Sequence, residues 1–299
     1  MIHPSALLGT LLLAVTGAAA VAAAAAADTL PRTPSPTAAR AAITLHYGPH
    51  ERQAVALYPA AGTGRPPLAV YVHGGAWRAG HRDRVRSKPR WFNEAGWAFA
   101  SVGYRVLPEA AVEDQARDLA EGLRLLRRDA AWLGYDPDRI LLMGHSAGAH
   151  LAALVASDDR WLGEERRAIR GVILLDGAGY DVSSEFERRG PLARKLYADA
   201  FGDDPQRQRA LSPITHVDGN DPGEWLLVFA EGRIDAIEQA GYFGDALQKA
   251  GLRVERVPDP GNHLEINREF GDPGYRANDA VRAMMVRISS ASSGPQDGS

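Results

Sequence analysis

The chain has 299 residues, 45% of them hydrophobic and 24% charged, with a formal net charge of −3. That is the composition of a globular protein, with room for one large α/β domain or two small ones, and it is too apolar for a disordered chain. No strongly basic footprint is present, so nucleic acid is not an expected partner. Arg127-Arg128 and Arg166-Arg167 stand beside acids and read as solvated faces. The sequence has no cysteine, which excludes disulfides, thiolate catalysis, iron–sulfur clusters and cysteine–zinc sites but leaves the compartment open.

Residues 5–27 are an uninterrupted run of small and apolar residues, greasiest at Leu11-Leu12-Leu13 and ending in an alanine tract before Asp28. Small residues at Ala25 and Ala27 suit signal-peptidase cleavage, so 1–27 is expected to be a signal peptide and the mature protein secreted or periplasmic, without stable membrane association. An uncleaved membrane anchor is the alternative, because the run exceeds about 18 residues. Residues 28–42, with Pro31, Pro34 and Pro36, read as a linker. The folded domain is expected over 43–288, and 289–299 as a flexible tail.

Within the domain the pattern alternates. Gln53 to Tyr58 reads as a strand, Leu68 to Val72 as a strand buried on both faces, and Trp97 to Tyr104 as another. Val112 to Leu133 carries Leu119, Leu123 and Leu126 at helical spacing. Ile140 to Met143 is a strand, and Ala147 to Ser157 a helix of small residues. Gly171 to Leu175, Trp225 to Ala230 and Arg253 to Val257 read as strands, and Ala236 to Ala250 and Arg276 to Ile288 as helices. This rhythm predicts an α/β fold with a mostly parallel sheet covered on both faces, whose ligands bind beyond the carboxyl ends of the strands. The polar stretch from Gly177 to Gly223 interrupts it and is expected to be a small cap. Tyr180, Phe186, Tyr197 and Phe201 either pack that cap or line a pocket beneath it.

Gly144-His145-Ser146-Ala147-Gly148 matches G-x-S-x-G, between a predicted strand and a predicted helix. There a serine sits in a sharp turn that needs small neighbours, and the helix N-terminus favours a developing oxyanion. His73-Gly74-Gly75-Ala76-Trp77 follows a strand, and glycines there let backbone N–H groups approach a substrate. The N–H groups of Gly74, Gly75 and Ala147 are assigned to an oxyanion hole. His73 is expected to order this loop and Trp77 to pack.

The H-G-G-x-W loop followed by G-H-S-A-G resembles the esterase and kynurenine-formamidase-like branch of the α/β-hydrolases. Tyr104-Arg105-Val106-Leu107-Pro108-Glu109 is similar to the Y-R-x-x-P-E segment of hormone-sensitive-lipase-like esterases. The likeness is strong from about Leu68 to Leu154. It implies an α/β-hydrolase fold and hydrolysis of a small-molecule carboxylic ester, with no metal or organic cofactor.

In this fold the chain order is nucleophile, acid, base. The nucleophile is Ser146. Of the histidines after it, His150 lies in the helix leaving the elbow and is expected to be structural, and His216 falls in the cap. His263 follows the last predicted strand and is the expected base. The expected acid is Asp235, after the strand ending at Ala230, although an Asp there also suits a helix cap. Glu231, then Asp176 and Asp181, are the other candidates, because some members of the fold carry the acid one strand earlier. An imidazole base of ordinary pKa, near ~6.5, predicts loss of activity in acid. An arylformamidase acting on an N-formyl aromatic amine is the competing activity. A non-catalytic binding protein on the same scaffold is the competing class.

Overall fold

The computed structural model describes residues 42–62, 64–188 and 190–290. The expected signal peptide 1–27, nearly all of the expected linker and residues 291–299 of the expected tail lie outside the described residues.

Eight strands form one sheet: β1 (Ile43–His46), β2 (Ala54–Tyr58), β3 (Leu68–Val72), β4 (Ala98–Val102), β5 (Ile140–His145), β6 (Ile169–Leu175), β7 (Glu224–Ala230) and β8 (Arg253–Asp259). Their order is β1-β2-β4-β3-β5-β6-β7-β8. β1 and β2 pair antiparallel, β2 pairs antiparallel with β4, and all the other neighbours are parallel. The parallel α/β architecture expected from the alternating pattern is therefore present. β5, which carries the elbow, lies inside the sheet between β3 and β6.

The helices are α1 (Lys88–Glu94), α2 (Val112–Leu133), α3 (Ala147–Ser157), α4 (Asp159–Leu162), α5 (Val182–Arg188), α6 (Pro191–Phe201), α7 (Pro205–Ala210), α8 (Ile234–Lys249), α9 (His263–Arg268) and α10 (Asn278–Ser290). Side chains along a strand alternate between faces, so each parallel strand feeds two cores. Val70, Val72 and Leu142 pack with Leu119, Leu123 and Leu151 of α2 and α3. Tyr71, Leu141 and Met143 pack on the other face with Trp91 and Phe92 of α1 and Met284 of α10. Burying each such side chain contributes roughly 1.5–3 kcal/mol. β3 and β5 are buried at every position, which is why they read as unbroken apolar runs.

Residues 177–223, between β6 and β7, hold α5, α6, α7 and a 3-10 turn at Pro213–His216. Phe201 of α6 is fully buried and lies edge-on to Trp77, with ring centroids 4.8 Å apart. Tyr180 stacks on Phe243 of α8 at 4.9 Å. Among the described residues, no helix is long and apolar enough to cross a membrane.

Candidate active site

The elbow has the backbone that its sequence demands. Ser146 follows β5 directly and precedes α3 with φ 56° and ψ −124°, a conformation rare for a residue with a Cβ. The turn closes because its flanking glycines touch backbone. A Cβ on Gly144 would come within 2.2 Å of Gly148 O, and one on Gly148 within 2.3 Å of Val72 O. Ser146 N donates to Leu175 O on β6 at 3.0 Å, and Ser146 O accepts from Ala149 N at 2.9 Å. The serine thus stands at the positive end of an 11-residue helix.

The loop after β3 is strained and braced. Gly75, Ala76 and Trp77 have φ of 135°, 52° and 59° in succession. Leu107 N (2.9 Å) and Gln115 Nε2 (2.8 Å) both donate to Trp77 O. Tyr104 Oη donates to His73 O at 2.7 Å, while Arg105 forks onto Asp118 of α2. The Tyr104-Arg105 pair therefore pins the loop to the body of the domain. Gly74 lies against Ser146, since a Cβ there would come 2.9 Å from Ser146 Cβ. The structure brings Gly74, Gly75 and Ala147 around Ser146, on the walls of the two cavities that meet there.

His263 begins α9. Asn262 caps that helix by accepting from Leu264 N and Glu265 N, and Glu265 reaches back to Asn262 N. His263 Nδ1 donates to Asp176 Oδ2 at 2.6 Å. This differs from the expectation: the carboxylate hydrogen-bonded to His263 is Asp176, not Asp235. Asp176 follows β6 directly with φ 44°, and its Oδ1 accepts from Ala230 N at 2.9 Å, which turns Oδ2 toward His263. Asp235 instead lies in the first turn of α8 and binds Arg233 Nη2. Arg233 also donates to Asp176 Oδ2, and its Nη1 lies 2.7 Å from His263 Nδ1. The guanidinium therefore lies between Asp235 and His263. Burial alone would raise the Asp176 carboxyl. The hydrogen bonds from His263 and Ala230 and the charge of Arg233 outweigh that and hold it below the usual carboxylate range.

Glu231 is exposed, and Asp181 caps α5 through Ser184 N, whereas the carboxylate hydrogen-bonded to His263 is Asp176. His150 is fully buried, accepting from Trp77 Nε1 at 3.2 Å and donating through Nε2 to Leu211 O at 2.8 Å. Burial pushes it down to about 4, in keeping with a structural role. His73 donates from Nδ1 to Gly74 O and stacks on Tyr104, ordering the loop as expected. His216 donates to Ala210 O inside the cap.

Two site residues are absent from the sequence-based assignment. Arg233 is one. His145, the variable residue of the elbow, is the other: its Nε2–H donates to His263 O at 2.8 Å, and its ring lies 4.7 Å from that of His263. Two cavities share Ser146 and His263. One, of about 230 Å³, is walled by Trp77, Leu196 and Tyr197 and reaches Asp176, Arg233 and Asp235. Tyr197 thus both lines this cavity and packs the cap, while Tyr180 and Phe201 pack outside its wall. The other cavity, of about 520 Å³, opens along the loop after β3. Among the described residues, no cluster of three His, Asp or Glu side chains forms a metal site.

A serine on a strand–helix elbow, a histidine after the last strand and an Asp between them in the chain, all at the carboxyl end of this sheet, define an α/β-hydrolase. More narrowly, the chain belongs to the BD-FAE family, whose model matches residues 56–239, from β2 into α8. His263 lies beyond the matched stretch. The chain is 35% identical to an isoprenylcysteine alpha-carbonyl methylesterase of Arabidopsis thaliana, over 72% of this chain and 54% of that protein. It is 30% identical to esterase LipQ of Mycobacterium tuberculosis, over 74% of this chain and 56% of the relative. It therefore spans about half the length of either relative. An esterase of Thermogutta terrifontis shares the fold with a TM-score of 0.69 at 24% identity, covering 86% of this chain and 96% of that one.

Proposed function

We propose that this chain hydrolyses carboxylic esters of small molecules through an acyl-enzyme on Ser146. The observation that carries this reading is the 2.6 Å hydrogen bond from His263 Nδ1 to Asp176 Oδ2, made by a histidine that shares both cavities with the strained Ser146. With the Nδ1 proton held by Asp176, Nε2 keeps a lone pair and takes the Ser146 proton as Oγ attacks the ester carbonyl. Charge gathers on the carbonyl oxygen, where the positive end of α3 and the N–H groups of Gly74, Gly75 and Ala147 stabilise it. The imidazolium returns its proton to the departing alkoxide. Water, deprotonated by the same nitrogen, then clears the acyl group.

The two curated relatives are named as esterases, which supports an ester over the formamide that the H-G-G-x-W loop also suggested. The apolar run at 5–27 supports action outside the cytoplasm after cleavage of the segment, with a membrane-anchored form as the alternative.

The test is direct. Ser146 should be labelled by a fluorophosphonate, and Ser146→Ala should lower hydrolysis of 4-nitrophenyl butyrate by about 10⁶-fold. An unlabelled Ser146 would sink the nucleophile. Turnover of N-formylkynurenine well above that of simple esters would replace the ester with the formamide.

A further inference from the structure

The two cavities that meet at Ser146 differ in charge. The smaller one carries two carboxylates, Asp176 and Asp235, against the single guanidinium of Arg233. The larger one has no carboxylate in its wall, and Arg78, His81 and Arg84 line it together with Tyr71, Leu264 and Asn267. Arg78 is already paired with Asp199 at 3.0 Å, and His81 with Asp83 at 3.2 Å. Arg84 is exposed and enters no ion pair among the described residues. Arg52 lies behind the same wall, donating to Gly80 O at 2.9 Å. The field of these groups is felt at His73, also part of the wall. Burial pushes His73 down to about 4, its hydrogen bond to Gly74 opposes this, and the charges of Arg52, His81 and Arg84 add to the depression.

We propose that the preferred substrate is an ester whose arm in the larger cavity bears a carboxylate or another anionic group, recognised by Arg84 with the support of Arg52. The inference rests on ester hydrolysis at Ser146 for its chemistry, and on the unbalanced positive wall for its specificity. An anion placed in the smaller cavity would meet a net negative set of side chains. In the larger one it meets a guanidinium with no carboxylate of its own, within one continuous cavity with the nucleophile. About 520 Å³ accommodates an arm the size of a substituted phenyl ring.

Two pairs of esters test this, with the charge on opposite sides of the scissile bond. The first is 4-carboxyphenyl butyrate against 4-carbamoylphenyl butyrate, and the second is 4-nitrophenyl hydrogen adipate against 4-nitrophenyl hexanoate. In at least one pair, the anionic-to-neutral ratio of kcat/KM should fall about tenfold in Arg84→Gln, and should also fall as salt rises from 20 mM to about 500 mM. Because the ratio is taken within each protein, a general loss of activity cancels. A ratio unmoved by the substitution and by salt in both pairs overturns the proposal. Binding of both pairs to Ser146→Ala, read by calorimetry, separates the two ideas. Tighter binding of the carboxylate ester in at least one pair, lost in Ser146→Ala/Arg84→Gln, supports the anionic arm even if the wild type turns over none of these esters. Equal binding of the anionic and neutral esters within both pairs refutes it whatever the wild type hydrolyses.

Discussion

Replacing Asp176 by Asn is the sharpest test of which carboxylate serves the base. Asn tolerates the left-handed backbone that Asp176 adopts, φ 44°, so the turn after β6 survives. What changes is the donor count. In the wild type, Asp176 is an acceptor on both oxygens, taking Ala230 N on Oδ1 and His263 Nδ1 and Arg233 Nη1 on Oδ2. An amide has one acceptor end. If its oxygen stays on Ala230 N, its NH₂ faces His263 and forces the imidazole into the other tautomer, with the proton on Nε2 and no lone pair for Ser146. If it flips, Ala230 N–H is left buried and unpaired, at a cost of about 1–3 kcal/mol. The first arrangement preserves the fold and disables the base. The expected loss in kcat is therefore about 10⁴-fold, the size seen when a triad Asp is made amide, or about 5 kcal/mol of barrier. Asp235→Asn removes one of two carboxylates on Arg233 and leaves the His263 hydrogen bond in place, so its kcat should stay within about tenfold of wild type. Steady-state kinetics on 4-nitrophenyl butyrate, with circular dichroism to confirm folding, reads both. A folded Asp176→Asn that keeps kcat within tenfold, or an Asp235→Asn that loses as much, would refute the assignment.

Two further expectations concern stability. His73, His145 and His150 are buried and pushed down to about 4, 3 and 4, whereas in the unfolded chain each takes a proton near ~6.5. Stability is therefore full above that pH and is lost as pH falls toward the folded values. At pH 5 the three together withdraw on the order of 6 kcal/mol, so guanidinium melts at pH 7.5 and 5 should differ widely, and matching midpoints would contradict the burial. Lys88 is fully buried, with Nζ on Asn267 O at 2.6 Å, and burial pushes it down to about 7. The unfolded chain holds that proton up to about pH 10, so the penalty is greatest below pH 7 and fades as pH rises. Lys88→Met should gain about 2–3 kcal/mol more stability at pH 6 than at pH 9; an equal gain at both would refute the buried neutral amine.

Much of this site was legible in the chain. The strands around the elbow are buried on both faces and so read as apolar runs, and the glycines at 144 and 148 are demanded by backbone contacts two residues from the serine. His263 was legible by chain order. The acid was not, because Asp176 and Asp235 each follow a parallel strand, and choosing between them depends on a side-chain geometry that no spacing encodes. Arg233 decides it, by standing between Asp235 and the base and engaging both carboxylates. Nothing in Glu231-Gly232-Arg233-Ile234-Asp235 announces that. The helix α9 was also missed, since its six residues are too few to show a period and only the Asn262 and Glu265 capping pair marks its start. The two-cavity arrangement depends on how the loop after β3 folds over Ser146, a long-range contact invisible in the pattern.

The pairing of His145 with His263 bears on the charge that the proposed mechanism creates. In that mechanism His263 becomes a cation on taking the serine proton, 4.7 Å from the neighbouring ring. A second imidazolium at that separation would oppose the first by about 3.5 kcal/mol at an effective dielectric constant of 20. His145 does not supply one. Burial, and then the nearby charge of His263, hold it down to about 3, with its own hydrogen bond to His263 O acting in the other direction. The elbow thus gives the base a companion that fixes its backbone with a proton while contributing no charge of its own, and the imidazolium forms beside an electrically silent neighbour.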